Sequence, residues 1–182
     1  MKNLAIPTRE QVSPANQTIF DNLKKGLGFV PNLYATFAYS DTALGNYVTF
    51  QTAKSSLKAK EREVINLVVS QVNDCRYCQS AHTVLGKMNG FTDDQILELR
   101  AGTASFDPKL DALVKLAKAI TVNHGRPDDK LVDNFFAAGY NEGNLVDVVL
   151  VVGDKIISNY LNNITGTPID FPVAVPLEET EA

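Results

Sequence analysis

Cysteine is scarce in this chain of 182 residues: Cys75 and Cys78 are the only two, so no disulfide framework holds the fold together. Stability has to come from a hydrophobic content of 45%, which is ample for one buried core at this length. Long apolar runs are also missing, and none approaches the length that spans a bilayer. The opening Met1-Lys2-Asn3-Leu4-Ala5-Ile6-Pro7 is too short and too polar for the apolar region of a signal peptide. Basic residues are outnumbered, 17 against 21 acidic, giving a net charge of -4 and a pI near 5.2. That balance leaves no basic footprint for nucleic acid or for an anionic membrane surface. A soluble cytoplasmic protein is expected, with neither nucleic acid nor membrane as partner. In that reducing compartment a close cysteine pair is more often redox-active or metal-binding than a permanent staple. Two cysteines three residues apart would in any case close too small a loop to stabilise much.

Apolar residues recur at intervals of three and four, as in Val64, Leu67, Val68 and in Leu110, Leu113, Val114, Ala117, which predicts an all-α fold from about Ser13 to Asn163. Breakers at Gly26, Gly28, Gly45, Gly90, Gly102, Pro108, Gly125, Gly139 and Gly153 mark the expected helix ends. The β-branched stretch 146–152 reads as helix, since a lone strand would have no partner. A single domain over residues 1–182 is expected, with a tail over 167–182 that Pro168, Pro172 and Pro176 keep extended, packed or frayed on the surface.

Two helix starts share one construction. Phe91-Thr92-Asp93-Asp94-Gln95-Ile96 offers Thr92 as N-cap, Gln95 to complete a capping box, and Phe91 against Ile96 as a staple. Tyr140-Asn141-Glu142-Gly143-Asn144-Leu145 repeats the arrangement 49 residues later. A duplicated helical block and a shared capping idiom both account for this. The second half carries no thiols: His124, Pro127 and Leu131 stand opposite Cys75, Cys78 and His82 at that offset.

Chemistry concentrates in residues 57–102. If Asp74 caps a helix beginning at Cys75, both thiols lie in its first turn, where free amides and the helix dipole favour a thiolate. At about 100° per residue, Cys75, Cys78 and His82 share an arc of roughly 60°. Helical side chains lean toward the N-terminus, so His82 is expected to reach back over Cys78 as its base. Glu63 would lie roughly 18 Å from Cys75 on an unbroken helix. A hairpin at Asn73-Asp74 instead sets Glu63 level with His82, ready to orient the imidazole. The expected relay is Glu63, His82 and Cys78, with Cys75 as resolving thiol. A thiolate would attack a peroxide oxygen or a disulfide sulfur, and the second thiol would resolve the product.

Glu63, Cys75, Cys78 and His82, within the run from Glu61 to His82, resemble the core of the alkylhydroperoxidase D branch of the carboxymuconolactone decarboxylase superfamily. The likeness is dense over 57–102, and Asn159-Tyr160-Leu161-Asn162-Asn163 through Thr167-Pro168-Ile169-Asp170-Phe171 resembles peroxidase-related members. It implies an all-α helical bundle, trimers or larger rings such as hexamers, and no cofactor. It also implies peroxidase or disulfide reductase activity on a hydroperoxide or disulfide, driven by a dithiol reductant. By position the four residues match the family's thiols and proton relay. Tyr77 departs, standing where the best-known members carry histidine.

Competing readings use the same residues. Cys75, Cys78, His82 and Glu63 could donate four ligands to zinc, although three would crowd one helix face. The chain could instead be a non-catalytic helical oligomer that binds a ligand or partner through Tyr34, Phe37, Tyr39, Tyr47 and Phe50, residues that serve equally well as core. Decarboxylation by superfamily analogy does not rest on a cysteine pair. Tyr77 could offer its hydroxyl to the thiols or pack. His124 reads as a helix C-terminal residue, and Glu61, Glu98, Asp93 and Asp94 as solvated or first-turn acids.

Overall fold

The computed structural model describes residues 3–177, and all regular elements among them are helical. A 3-10 turn at Arg9–Gln11 precedes α1 (Pro14–Leu27), α2 (Asn32–Phe37), α3 (Ala43–Gln51), α4 (Ala59–Val72), α5 (Arg76–Met88), α6 (Asp93–Ala101), α7 (Pro108–Val122), α8 (Asp129–Ala137) and α9 (Glu142–Thr165). Both expected capping boxes are present. Thr92 Oγ1 accepts from Gln95 N at 3.2 Å, and Asn141 Oδ1 accepts from Asn144 N at 2.9 Å. α7 starts at Pro108, which needs no amide partner there, behind the Asp107 cap.

Two glycines do not act as breakers. Gly45 lies in the first turn of α3, and α9 runs through Gly153 without interruption. A glycine inside a helix costs only about 1 kcal/mol relative to alanine. The packing of a 24-residue helix outweighs that. The 49-residue spacing extends beyond the caps: α4 and α7 start at 59 and 108, α6 and α9 at 93 and 142, and α5 and α8 end at 88 and 137. Three helix boundaries therefore repeat at one offset.

α4 is the central post. Its Val64, Ile65, Leu67 and Val68 are fully buried among side chains of α6, α7, α8 and α9, including Leu99, Leu113, Leu116, Phe135 and Val148. A second apolar cluster of Val12, Phe20, Ala35, Ala38 and Leu44 joins α1, α2 and α3. No single helix among the described residues is long and apolar enough to cross a membrane.

α9 buries Val148 and Val152 in its first half and inverts the usual helix pattern in its second. Asp154, Lys155, Ser158, Asn159 and Asn162 point inward and are buried, while Val146, Val149, Leu150, Ile157, Tyr160 and Ile164 are exposed along the opposite face.

The tail packs rather than frays over its described part, 167–177. Ala174 N donates to Ser80 Oγ at 3.0 Å, and Asp170 accepts from Asn32 N, the first amide of α2, at 2.7 Å. The guanidinium of Arg100, almost wholly buried, donates to the Val175 carbonyl at 2.7 Å and to Gln71 and Gln79. The acidic end, 178–182, lies outside the described residues.

Candidate functional site

The helix hairpin needed to bring Glu63 to His82 forms where expected. α4 ends at Val72 with Asn73 as C-cap, and Asp74 takes a positive φ of 48° in the turn. Aspartate tolerates that conformation better than most residues, which lets the chain reverse in so few steps. Glu63 Oε2 and His82 Nδ1 are then 2.8 Å apart, both buried. Asn66 Nδ2 fixes the other carboxylate oxygen at 2.9 Å.

Asp74 is not the cap of α5. Cys75 is: it precedes the helix in extended backbone, and its Sγ accepts from Cys78 N at 3.3 Å. A thiol sulfur thus takes the place of the usual N-cap oxygen. Cys78 lies one turn further, at the third helical position. Both cysteines are free, Cys75 with 0% and Cys78 with 3% of its surface exposed. Leu33 and Phe37 from α2, Leu161 from α9, and Ile169 and Phe171 from the tail cover them. Tyr77 belongs to this cover. Its hydroxyl accepts from Leu33 N at 3.2 Å and its ring packs edge-on against Phe171, so it braces the lid over the thiols.

His82 makes no hydrogen bond to Cys78, the contact the spacing suggests. Among the described residues no hydrogen bond joins its ring to either sulfur; Nε2 lies 3.2 Å from Lys155 Nζ, a residue the sequence reading does not name. An ammonium only donates, so Nε2 accepts and Nδ1 carries the proton toward Glu63. The imidazole therefore has both nitrogens engaged. It has no lone pair left for a thiol proton, nor for zinc, and no cluster of ligands fit for a metal occurs among the described residues.

Lys155 is the cation of the site. It is 2% exposed and also lies 3.3 Å from Asp154 Oδ2. Burial alone would push its pKa down. Its surroundings, Tyr47, Asp154, Cys78 and Glu63, hold it well above the usual range, and at neutral pH the work falls to the three acids because the phenol of Tyr47 stays protonated. Burial pushes the Glu63 carboxyl up, but His82, Asn66 and Lys155 outweigh it and the pKa ends below its ordinary value.

The two thiols separate in acidity. The Cys75 thiol donates toward Cys78, and this hydrogen bond, with the charge of Lys155 and help from Asn159, lowers Cys78 to about 6 against the opposing effect of burial. Asn162 Nδ2 adds a donor at 3.3 Å from Cys78 Sγ. Cys75, giving its hydrogen to Cys78 and deeply buried, is pushed strongly up. Helix position alone points to Cys75 as the acidic thiol; the hydrogen bond that Cys75 gives to Cys78, aided by Lys155 of α9, reverses that order.

A cavity of about 370 Å³ opens beside this cluster. Glu63, His82 and Lys155 form part of its wall, and neither thiol does. Tyr34 and Phe50 of the aromatic stretch line it, whereas Phe37 and Tyr47 stack on each other at 4.1 Å and Tyr39 is exposed. Glu61 is a first-turn acid but not a solvated one: it is buried and accepts from Lys58 N at 2.8 Å. His124 is exposed just beyond α7.

Residues 36–119 match the carboxymuconolactone decarboxylase family. That span contains Glu63, Cys75, Cys78 and His82 and ends before Lys155 and Asn162. The uncharacterized protein YdfG of Bacillus subtilis (strain 168) is 30% identical over 106 residues, which cover 56% of this chain and 70% of that protein. Several solved structures share the fold. An uncharacterized peroxidase-related protein from Silicibacter sp. TM1040 superposes with a TM-score of 0.79 at 22% identity, covering 92% of this chain and 91% of its own. A second, from Ralstonia eutropha JMP134 and described as an alkylhydroperoxidase AhpD core, gives 0.81 at 18% identity over 92% of each chain. The debrominase Bmp8, as a cysteine-to-alanine variant in complex with 2,3,4-tribromopyrrole, gives 0.76 at 16% identity over 93% of each. With the helical fold, the hairpin that carries the paired thiols and the sequence match in agreement, the chain belongs to the carboxymuconolactone decarboxylase family and has the fold of the alkylhydroperoxidase AhpD core.

Proposed function

We propose that the protein is a cofactor-free thiol oxidoreductase that reduces a hydroperoxide at Cys78 and is recharged by a dithiol. The observation that carries this reading is the setting of the Cys78 sulfur, which faces the Asn162 amide, the Cys75 thiol and the buried charge of Lys155, all of which favour the anion. In the first step the Cys78 thiolate attacks one peroxide oxygen and the O–O bond breaks. Cys78 becomes a sulfenic acid and the alcohol leaves after taking a proton, which the Lys155 ammonium supplies and regains from solvent while His82 and Glu63 hold it in place. Cys75 then attacks the sulfenic sulfur, water departs and the Cys75–Cys78 disulfide forms. An external dithiol reduces that bond and is itself oxidised.

Mass analysis of the peptide that holds both thiols, after one equivalent of hydrogen peroxide, tests the scheme. The expected product has lost two hydrogens to an internal disulfide, and dithiothreitol restores the starting mass. A peptide left unchanged, or one carrying only higher oxides of sulfur, would remove the cysteine pair from the chemistry.

The apolar outer face of α9 supports self-association as part of the same proposal. Contiguous apolar surface of this kind marks contact sites, and a second copy of the chain is the partner implied. Light scattering behind a sizing column is expected to give a mass well above the 19.9 kDa of one subunit. The Ile157→Glu, Ile164→Glu double variant is expected to run as a single subunit with its helical content intact. A wild-type mass of one subunit would end this part of the proposal.

A further inference from the structure

The thiol pair is closed off. Neither cysteine lines the cavity beside His82, and Ile169 and Phe171 of the tail pack across the cluster formed by Leu33, Cys75, Tyr77 and Cys78. With 0% and 3% of their surface exposed, the two residues offer almost nothing to a reagent in solution. The tail that covers them is held unlike the rest of the fold. Among the described residues no hydrogen bond between main chains holds 168–175, and each of its hydrogen bonds has a side chain as donor or acceptor. At one end Asn32 N donates to Asp170 Oδ2 at 2.7 Å and Asn32 Nδ2 to the Pro168 carbonyl at 3.0 Å. At the other, Ala174 N donates to Ser80 Oγ at 3.0 Å and Arg100 Nη1 to the Val175 carbonyl at 2.7 Å. Pro172 and Val173 between these anchorages are exposed, and the half-buried Phe171 rests edge-on against Phe29 and Tyr77.

We infer that residues 168–175 form a hinged strap, and that its release from Asn32, Ser80 and Arg100 is the step that admits a reagent to Cys75 and Cys78. The other elements around the pair are poorly suited to that motion. α4 and α5 are continuous helices, α9 runs for 24 residues beside them, and α2 is fixed by Phe37 stacked on Tyr47 at 4.1 Å. The strap gives up a few bonds and one half-buried ring. Local opening follows segments with little regular structure and few buried apolar contacts. A hinge stands at its base, where Gly166 turns the chain out of α9 in left-handed backbone at φ 57°, a conformation glycine takes freely. A dithiol has to bring its own sulfur to a sulfur of the pair, so recharging waits on the open strap. The inference deepens the thiol reading, on which its purpose rests; the motion itself needs no peroxide.

Labelling of the reduced full-length protein with iodoacetamide, followed by mass over time, tests the strap. Asp170→Ala, which frees the Asn32 amide, and Phe171→Ala, which removes the ring, are each expected to speed labelling about tenfold. The pH midpoint of labelling should stay where it is in Phe171→Ala, since access changes there and acidity does not. Leu131→Ala loosens the main core from α8 and is expected to lower the urea midpoint without speeding labelling. In the wild type, the amides of Asn32 and Ala174 are expected to exchange their hydrogens faster than those of Leu67 and Val68 within α4. That comparison decides the matter even if a strap variant does not fold. Strap amides that exchange no faster than those of α4, labelling unchanged in both strap variants, or labelling sped equally by Leu131→Ala would overturn the inference. Iodoacetamide reports access and is no oxidant, so strap-dependent labelling in a protein whose thiols peroxide leaves untouched would end the peroxidase reading and leave this one standing.

Discussion

Cys78→Ser is expected to abolish turnover of hydrogen peroxide in the presence of a dithiol, while Cys75→Ser is expected to keep the first chemical step and lose the cycle. The asymmetry follows from the different surroundings of the two sulfurs. Cys78 carries the donors, Asn162 Nδ2 at 3.3 Å and the Cys75 thiol, and lies in the field of Lys155. A serine hydroxyl there stays protonated at any ordinary pH, and losing the nucleophile should cost on the order of 10⁴-fold or more in rate. In Cys75→Ser the nucleophile remains but no second sulfur can resolve its sulfenic acid. One equivalent of peroxide should then be consumed, and dimedone should trap the oxidised Cys78 as an adduct seen by mass. Cys75→Ser also removes a donor from Cys78 and replaces the sulfur that caps α5. The single turnover should therefore be slower than in wild type. Full steady-state activity in Cys78→Ser would reverse the roles of nucleophile and resolving thiol or end the scheme.

What the sequence disclosed and what it hid divide along a physical line. The meeting of Glu63 and His82 was legible because it needs only helix periodicity and one turn at Asn73-Asp74: an antiparallel hairpin aligns residues equally spaced about its bend. The caps at Thr92 and Asn141 were legible for the same reason, being local bonding patterns of three or four residues. The partner of His82 Nε2 was not. Lys155 lies 73 positions away on a helix that reads, around Val146 to Val152, as apolar. A reading that assigns apolar residues to the core places Ile157, Tyr160 and Ile164 inside and Lys155, Asn159 and Asn162 outside. The fold does the reverse. One signal was present, since residues 155, 158, 159 and 162 recur at three- and four-residue spacing and form a polar stripe as regular as the apolar one. Nothing local says which stripe faces α5; that is decided by what α4 and α5 already bury. The same inversion links the site to the outside of the molecule, because Leu150 belongs both to the exposed face of α9 and to the cavity wall. A second copy seated on that face would narrow the cavity mouth.

Lys155→Met should change both stability and reactivity, and in ways that separate its role from simple packing. The ammonium contacts His82 Nε2 and Asp154 Oδ2, so methionine fills the space but leaves an acceptor nitrogen and a carboxylate oxygen buried without their donor. Breaking a buried charged pair from one side costs about 3–5 kcal/mol. Urea unfolding should show a loss of that order, and Asp154→Asn added to Lys155→Met should recover part of it by removing the stranded charge. Reactivity reports separately on the thiol. Thiolate is the attacking form, so alkylation of Cys78 by iodoacetamide should rise with pH through a midpoint of about 6 in the wild type. Without Lys155 the anion loses a favourable charge and the midpoint should move upward, toward the ordinary thiol value near ~8.5. At neutral pH the rate should fall by roughly tenfold. The linkage has a matching sign. A depressed folded pKa contributes stability that is complete above the unfolded thiol value and is lost as pH falls through about 6, so the variant should lose less stability across that window than the wild type does. An unchanged alkylation profile together with an unchanged urea midpoint would show that the charge on Lys155 serves neither Cys78 nor the fold.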